Sequence, residues 1–130
     1  MATLVAAPAA QGFKWWQSEE YIRELGLTQE QSRVLEKIFQ DALPKLRAHK
    51  RALDKAEAEF EALIEKGADQ AVMEQVNRVE TARAELNKAR TMMLLRMRRV
   101  LTSEQWAKFT ALQQAFEKEL RSRPHDRPRR

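Results

Sequence analysis

The chain has no cysteine, so disulfides, thiolate metal sites and cysteine nucleophiles are all excluded. It has only three glycines and four prolines in 130 residues, too few punctuating residues for a protein of many strands and tight turns. Aromatic residues make up 7%, and there are two histidines. No Gly-rich phosphate loop and no nucleophile with a base at recognisable spacing is present, which argues against catalysis. Imidazole is scarce, so a His-built metal site has little to draw on. What is abundant is charge: 33% of the residues, with a net charge of +5. That balance favours long amphipathic helices with a thin core, and suits acidic partners, anionic membranes or nucleic acid.

One short pattern occurs twice: Leu27-Thr28-Gln29-Glu30-Gln31 and Leu101-Thr102-Ser103-Glu104-Gln105. Thr followed three residues later by Gln is a capping box, each side chain bonding the other residue's free backbone N–H at a helix start. Leu27, Thr28, Gln31, Leu101, Thr102 and Gln105 are therefore expected to be structural caps. Leu101 and Trp106 are spaced for a hydrophobic staple, whereas the first copy has Ser32 at the matching position.

The spacing predicts four helices. A short one follows Ser18 and ends near Leu25, with Gly26 in the left-handed cap position. The second starts at Thr28 and runs to about Lys66, with Leu35, Ile38, Ala42, Leu46, His49, Leu53, Ala56, Phe60 and Leu63 on one stripe. Pro44 lies inside it and should kink it near Leu43. Gly67-Ala68 interrupts the pattern, and Asp69 is placed to cap the third helix. The third stripe is Val72, Val76, Val79, Ala82, Leu86, Ala89, Met93, Met97 and Val100, and the fourth is Trp106, Phe109, Leu112, Phe116 and Leu120. Two long amphipathic helices joined by a short Gly link make an antiparallel hairpin. The expected architecture is all-α: a long helical hairpin with a short N-terminal helix and a fourth packing helix.

Residues 1–12 read as the remnant of an export signal, with Ala7-Pro8-Ala9 as a cleavage-like pattern, or as a disordered Ala-rich leader. Residues 13–121 form the helical domain, and residues 122–130 a basic, Pro-broken tail expected to be disordered.

The paired Leu-Thr-x-x-Gln motifs at the starts of the second and fourth helices, the helix lengths and the export-like leader together resemble the Spy/CpxP family of periplasmic proteins. The segments Phe13-Lys14-Trp15-Trp16 and Glu24-Leu25-Gly26-Leu27-Thr28 are similar to members described as heavy-metal resistance or metal-sensor proteins. The resemblance implies a periplasmic hairpin dimerised into a curved cradle, with ATP-independent chaperone or envelope-stress activity and no cofactor. A neighbouring branch binds nickel, cobalt or zinc, so a periplasmic heavy-metal sensor or resistance protein is the alternative function, and an interaction module regulating a membrane signalling partner is a second.

Within that frame the basic residues carry the functional expectation. Arg47, Lys50, Arg51, Arg83, Lys88 and Arg90 are candidates for attracting unfolded, net-acidic clients; the alternative is a solvated helix surface with i,i+4 ion pairs. If paired positions sum to near 135 across the turn, the two basic stretches share one region, and Glu57, Glu59, Glu61 and Glu65 lie toward the tip. Met93, Met97 and His49 are the weak metal candidates, with core filling as the competing role. Phe13, Trp15 and Trp16 either pack against the long hairpin or form an exposed client rim. A homodimer is expected, a specific nucleic-acid partner is not, and the basic tail allows contact with a membrane surface.

Overall fold

The structure, a computed structural model, describes residues 14–122. The leader and nearly all of the basic tail, including Phe13 and His125, lie outside the described residues. A 3-10 turn at Trp15–Gln17 precedes α1 (Glu19–Leu25), α2 (Gln29–Lys66), α3 (Asp69–Val100) and α4 (Ser103–Ser122). Among the described residues every regular element is helical. The chain divides into two compact units: a head, running up to Glu36 and resuming at Met97, and an arm, Lys37–Arg96.

The head is closed by aromatics. Trp15 and Trp16 are each 2% exposed, and Trp15 packs on Phe109 of α4 with ring centroids 4.6 Å apart. Tyr21 of α1 completes the cluster, 6.0 Å from Phe109. The two tryptophans thus pack inward, and Trp15 does so against α4 rather than along the hairpin. Trp16 reaches α2 by its indole, which donates to Glu36 Oε1 at 2.8 Å. Glu36 also accepts from Lys14 Nζ and Gln17 Nε2, so one carboxylate anchors the whole segment before α1. Ser32, which has no staple partner of its own kind, instead donates from its hydroxyl to the Trp16 carbonyl at 3.1 Å.

Ser18 caps α1 by accepting from the Tyr21 N–H, and Gly26 ends it at φ 67°, a conformation that a side chain would strain. α2 begins one residue later than Thr28, which is its cap, and it continues through Pro44 as a single helix.

The arm is the antiparallel pair formed by parts of α2 and α3. Its core is one stripe: Leu53, Ala56, Val79 and Leu86, flanked by Leu46, Phe60 and Ala82. At the turn, a Cβ on Gly67 would stand 2.8 Å from the Leu63 carbonyl oxygen and 3.2 Å from Val72 Cγ2. Backbone cannot yield there, so this tight return requires glycine. Asp69 is the first residue of α3 rather than its cap; the position before it, Ala68, accepts the first helical bond from the Val72 N–H. The Asp69 carboxylate then serves the positive end of the helix dipole.

Candidate functional site

Each capping box is closed in both directions. Thr28 Oγ1 accepts from the Gln31 N–H at 3.0 Å while Gln31 Oε1 accepts from the Thr28 N–H at 3.1 Å. Thr102 and Gln105 repeat the exchange at 3.0 Å both ways. The two boxes are also joined. Gln31 Nε2 donates to Gln105 Oε1 at 2.9 Å, and Gln105 Nε2 returns a bond to Gln31 Oε1 at 3.1 Å. The remaining donor of each amide crosses over: Gln31 bonds the Val100 carbonyl that ends α3, and Gln105 bonds the Leu25 carbonyl that ends α1. Each glutamine therefore starts its own helix and finishes the helix before its counterpart. Glutamate could close a box but could not donate, so the reciprocal clasp explains glutamine at both positions. Leu27 and Leu101, which lead into the boxes, are buried in the head.

The arm carries the charge. Of the six basic candidates, three are engaged by carboxylates. Lys50 bonds Asp54 at 2.7 Å, Lys88 stands 3.5 Å from Glu85, and Arg83 lies between Glu57 at 3.3 Å and Glu80 at 3.6 Å. The other three, Arg47, Arg51 and Arg90, make no ion pair among the described residues. Arg47 and Arg51 are exposed and Arg90 is half-buried. Toward the tip the sign reverses. Glu57, Glu61 and Glu80 border a groove of about 440 Å³ whose floor is Phe60, Val76 and Val79. Lys55 holds the Glu59 carboxyl below the usual carboxylate range, chiefly through their 3.0 Å hydrogen bond.

Two buried amides escaped the sequence reading. Gln75 is 2% exposed, inside the arm, and donates to the Ala56 carbonyl at 2.9 Å. Gln113 is 9% exposed, in α4, and neither amide atom has a hydrogen-bond partner. A polar residue one position off an apolar stripe gives no hint of such burial. Glu36 and Ser32 were missed for a related reason, since their partners lie 16 to 22 residues away.

Residues 22–108, well over half of the chain, match the family described as heavy-metal resistance. The chain belongs to the heavy-metal resistance family. This family is related to the Spy/CpxP proteins, and the matched span includes both capping boxes and the entire arm. No curated protein and no solved structure matches the chain. The family description makes a metal the first ligand to consider, and the residues described here fit one poorly. No three His, Cys, Asp or Glu side chains converge among them. Met93 and Met97 are 4% and 3% exposed, turned into the core where thioethers fill space. His49 sits half-buried on the α2 stripe with no second imidazole among the described residues. Membrane crossing finds no support in the helices either, since no helix among the described residues is long and apolar enough to span a bilayer.

Proposed function

We propose that this heavy-metal resistance family member is a non-enzymatic, ATP-independent chaperone of the cell envelope, one that holds unfolded, net-acidic chains on its arm. The observation that carries the reading is that three of the basic candidates, Arg47, Arg51 and Arg90, make no ion pair among the described residues, on an arm that also exposes Met92 and Leu95. A guanidinium committed to a neighbour has little field left for a ligand. Uncommitted ones attract an acidic chain from a distance, and neighbouring apolar groups then hold it weakly enough to let it fold. Lys50, Arg83 and Lys88 are assigned a smaller part, because their partners neutralise them. The export-like Ala7-Pro8-Ala9 pattern supports a periplasmic setting. The likeness to Spy/CpxP proteins supports a homodimer as the working form.

The test is suppression of aggregation of an acidic unfolded client, without ATP, at low and high salt. Suppression should weaken as salt rises, since exposed charges are screened within about 10 Å at 0.1 M. Arg47→Glu with Arg51→Glu should reduce it more than Lys50→Glu with Lys88→Glu. Equal losses from both pairs, or no suppression at any ratio, would remove this reading.

Family membership favours a second reading, metal sensing or resistance. Calorimetric titration with zinc, nickel and copper decides it. Tight stoichiometric uptake would promote that reading over the first.

A further inference from the structure

The arm's two sides differ. Helical spacing puts Gln75 and Glu59 on one side of the α2–α3 contact, and Glu57, Glu61 and Val76 on the other. The first side is closed by polar bonds: Gln75 Nε2 reaches the Ala56 carbonyl and Glu59, and Arg78 donates to Gln75 Oε1 at 3.1 Å. The second side holds the open groove, floored by Phe60, Val76 and Val79.

Three observations describe what this groove would accept. Its rim has three carboxylates, Glu57, Glu61 and Glu80, against the single guanidinium of Arg83, leaving two negative charges in excess. Arg83 is occupied by Glu57 and Glu80, while Glu61 makes no ion pair among the described residues. Finally, the apolar floor continues outward. Ile64 and Met73, at 56% and 58% exposure, follow Phe60 and precede Val76 at helical spacing on the same side. From Met73 to Arg83 the lining of α3 is roughly 15 Å long, about three turns of helix.

We propose that this groove binds one cationic amphipathic helix of a partner protein, its apolar stripe on Phe60, Val76 and Val79 and its Lys or Arg side chains on Glu57, Glu61 and Glu80. Two packed helices leave a furrow that a third helix fills along its length, as in other helix-in-groove recognition. The ligand is cationic because the rim is anionic, and apolar at i, i+3, i+4 and i+7 because the floor is a narrow stripe. This goes beyond the chaperone reading: it assigns a separate surface, of opposite charge to the free arginines, to a ligand of opposite charge to an acidic client.

The test uses the full chain and three labelled peptides of about fourteen residues, a length that spans the groove with a turn to spare. One is built of Leu and Lys with Leu at helical spacing, one has Glu for Lys, and one has the first composition scrambled so that no apolar stripe forms. Fluorescence anisotropy at low salt should show binding of the first, with the other two much weaker. Glu61→Lys should weaken the first peptide roughly tenfold, the scale of reversing one rim charge. Met73→Ser, at an exposed site, should weaken it by about threefold, the scale of lost apolar contact at the end of the floor. Circular dichroism should show both variants as helical as the parent. No binding of the Leu/Lys peptide, equal binding of the acidic or scrambled one, or unchanged affinity in Glu61→Lys overturns the proposal. Failure here with salt-sensitive client suppression intact would leave the chaperone reading standing. Peptide binding without client suppression would do the reverse.

Discussion

The head and the arm share the two long helices, yet they are held together differently. Of the fourteen buried apolar side chains among the described residues, nine belong to the head and five to the longer arm. The head adds the aromatic cluster, the Glu36 anchor and the double glutamine clasp. The arm has one stripe and a surface of ion pairs, most of them exposed pairs of the kind that contribute about 0–1 kcal/mol each. Function is proposed where the structure is thin. A surface that must hold varied chains loosely needs unsatisfied charge and uncovered apolar groups, and a well-closed core leaves neither.

The comparison breaks most clearly in the two cores. Leu35, at 0% exposure in the head, should cost about 2–5 kcal/mol when replaced by Ala, toward the upper end because the side chain is fully enclosed. Leu53→Ala in the arm should fall at the low end, since a two-helix contact relaxes. Urea midpoints of the two variants measure this; equal losses would mean that the arm is as tightly packed as the head. Next in size is the clasp. Gln31→Glu keeps the acceptor for the Thr28 N–H and for Gln105 Nε2 but loses the bonds that Gln31 Nε2 donates to the Val100 carbonyl and Gln105 Oε1, and sets a charge against Gln105 Oε1. The expected loss is about 1–3 kcal/mol, the cost of stranding partly buried partners. Thr102→Ala removes one cap bond and should cost about 1 kcal/mol. If thermal melts show a smaller loss for Gln31→Glu than for Thr102→Ala, the two boxes act separately and the reciprocal clasp has no energetic weight.

Much of this was legible in the chain, and the reason is periodicity. Every stripe position assigned on α2 and α3, from Leu35 to Leu63 and from Val72 to Val100, is buried or half-buried. Apolar spacing reports a helix face directly, because the face is set locally. Phe116 is the exception on α4, at 41% exposure. Contacts that depend on elements distant in sequence were not legible. Two capping boxes can be read singly, but nothing in either reveals that their amides meet across 74 residues. The same holds for the groove. The order of charges along α2 and α3 suggests an acidic tip, whereas the groove's apolar floor exists only once Phe60 of one helix faces Val76 and Val79 of the other. Pairing within one helix was partly legible, since i,i+4 spacing already sets Lys50 against Asp54, but the Arg83–Glu57 pair joins two helices and appears only on folding; the six basic candidates divide into three paired and three unpaired in the structure.

The two buried glutamines sharpen the comparison with opposite signs. Gln75 in the arm is bonded to Ala56, Glu59 and Arg78, so Gln75→Leu should lose about 1 kcal/mol, the net worth of such bonds. Gln113 in the head has no partner for either amide atom. An apolar residue of similar shape removes the desolvation cost of that amide, so Gln113→Leu should gain about 1 kcal/mol. Urea unfolding of both variants reads the signs; a loss at Gln113 would show that its amide is satisfied in solution.

The smallest effect is a titration within the head. Tyr21 is the chain's one tyrosine, so tyrosinate absorbance reports on it alone. Burial raises its pKa above the ordinary 10.0, and the Glu20 carboxylate beside it raises it further. The sign follows from which state ionises first. Below pH 10.0 the phenol is neutral whether the chain is folded or not, and the tyrosine's contribution is fully present. As pH rises past that value the unfolded chain releases the proton while the folded chain retains it, so unfolding becomes easier until the folded pKa is passed. Tyr21→Phe should flatten this part of the alkaline decline in melting temperature, and Glu20→Gln should lower the absorbance midpoint without abolishing its upward displacement, since burial is the larger cause. A midpoint at the ordinary phenol value would mean that the aromatic cluster opens in solution, and the head would then have no advantage in closure over the arm.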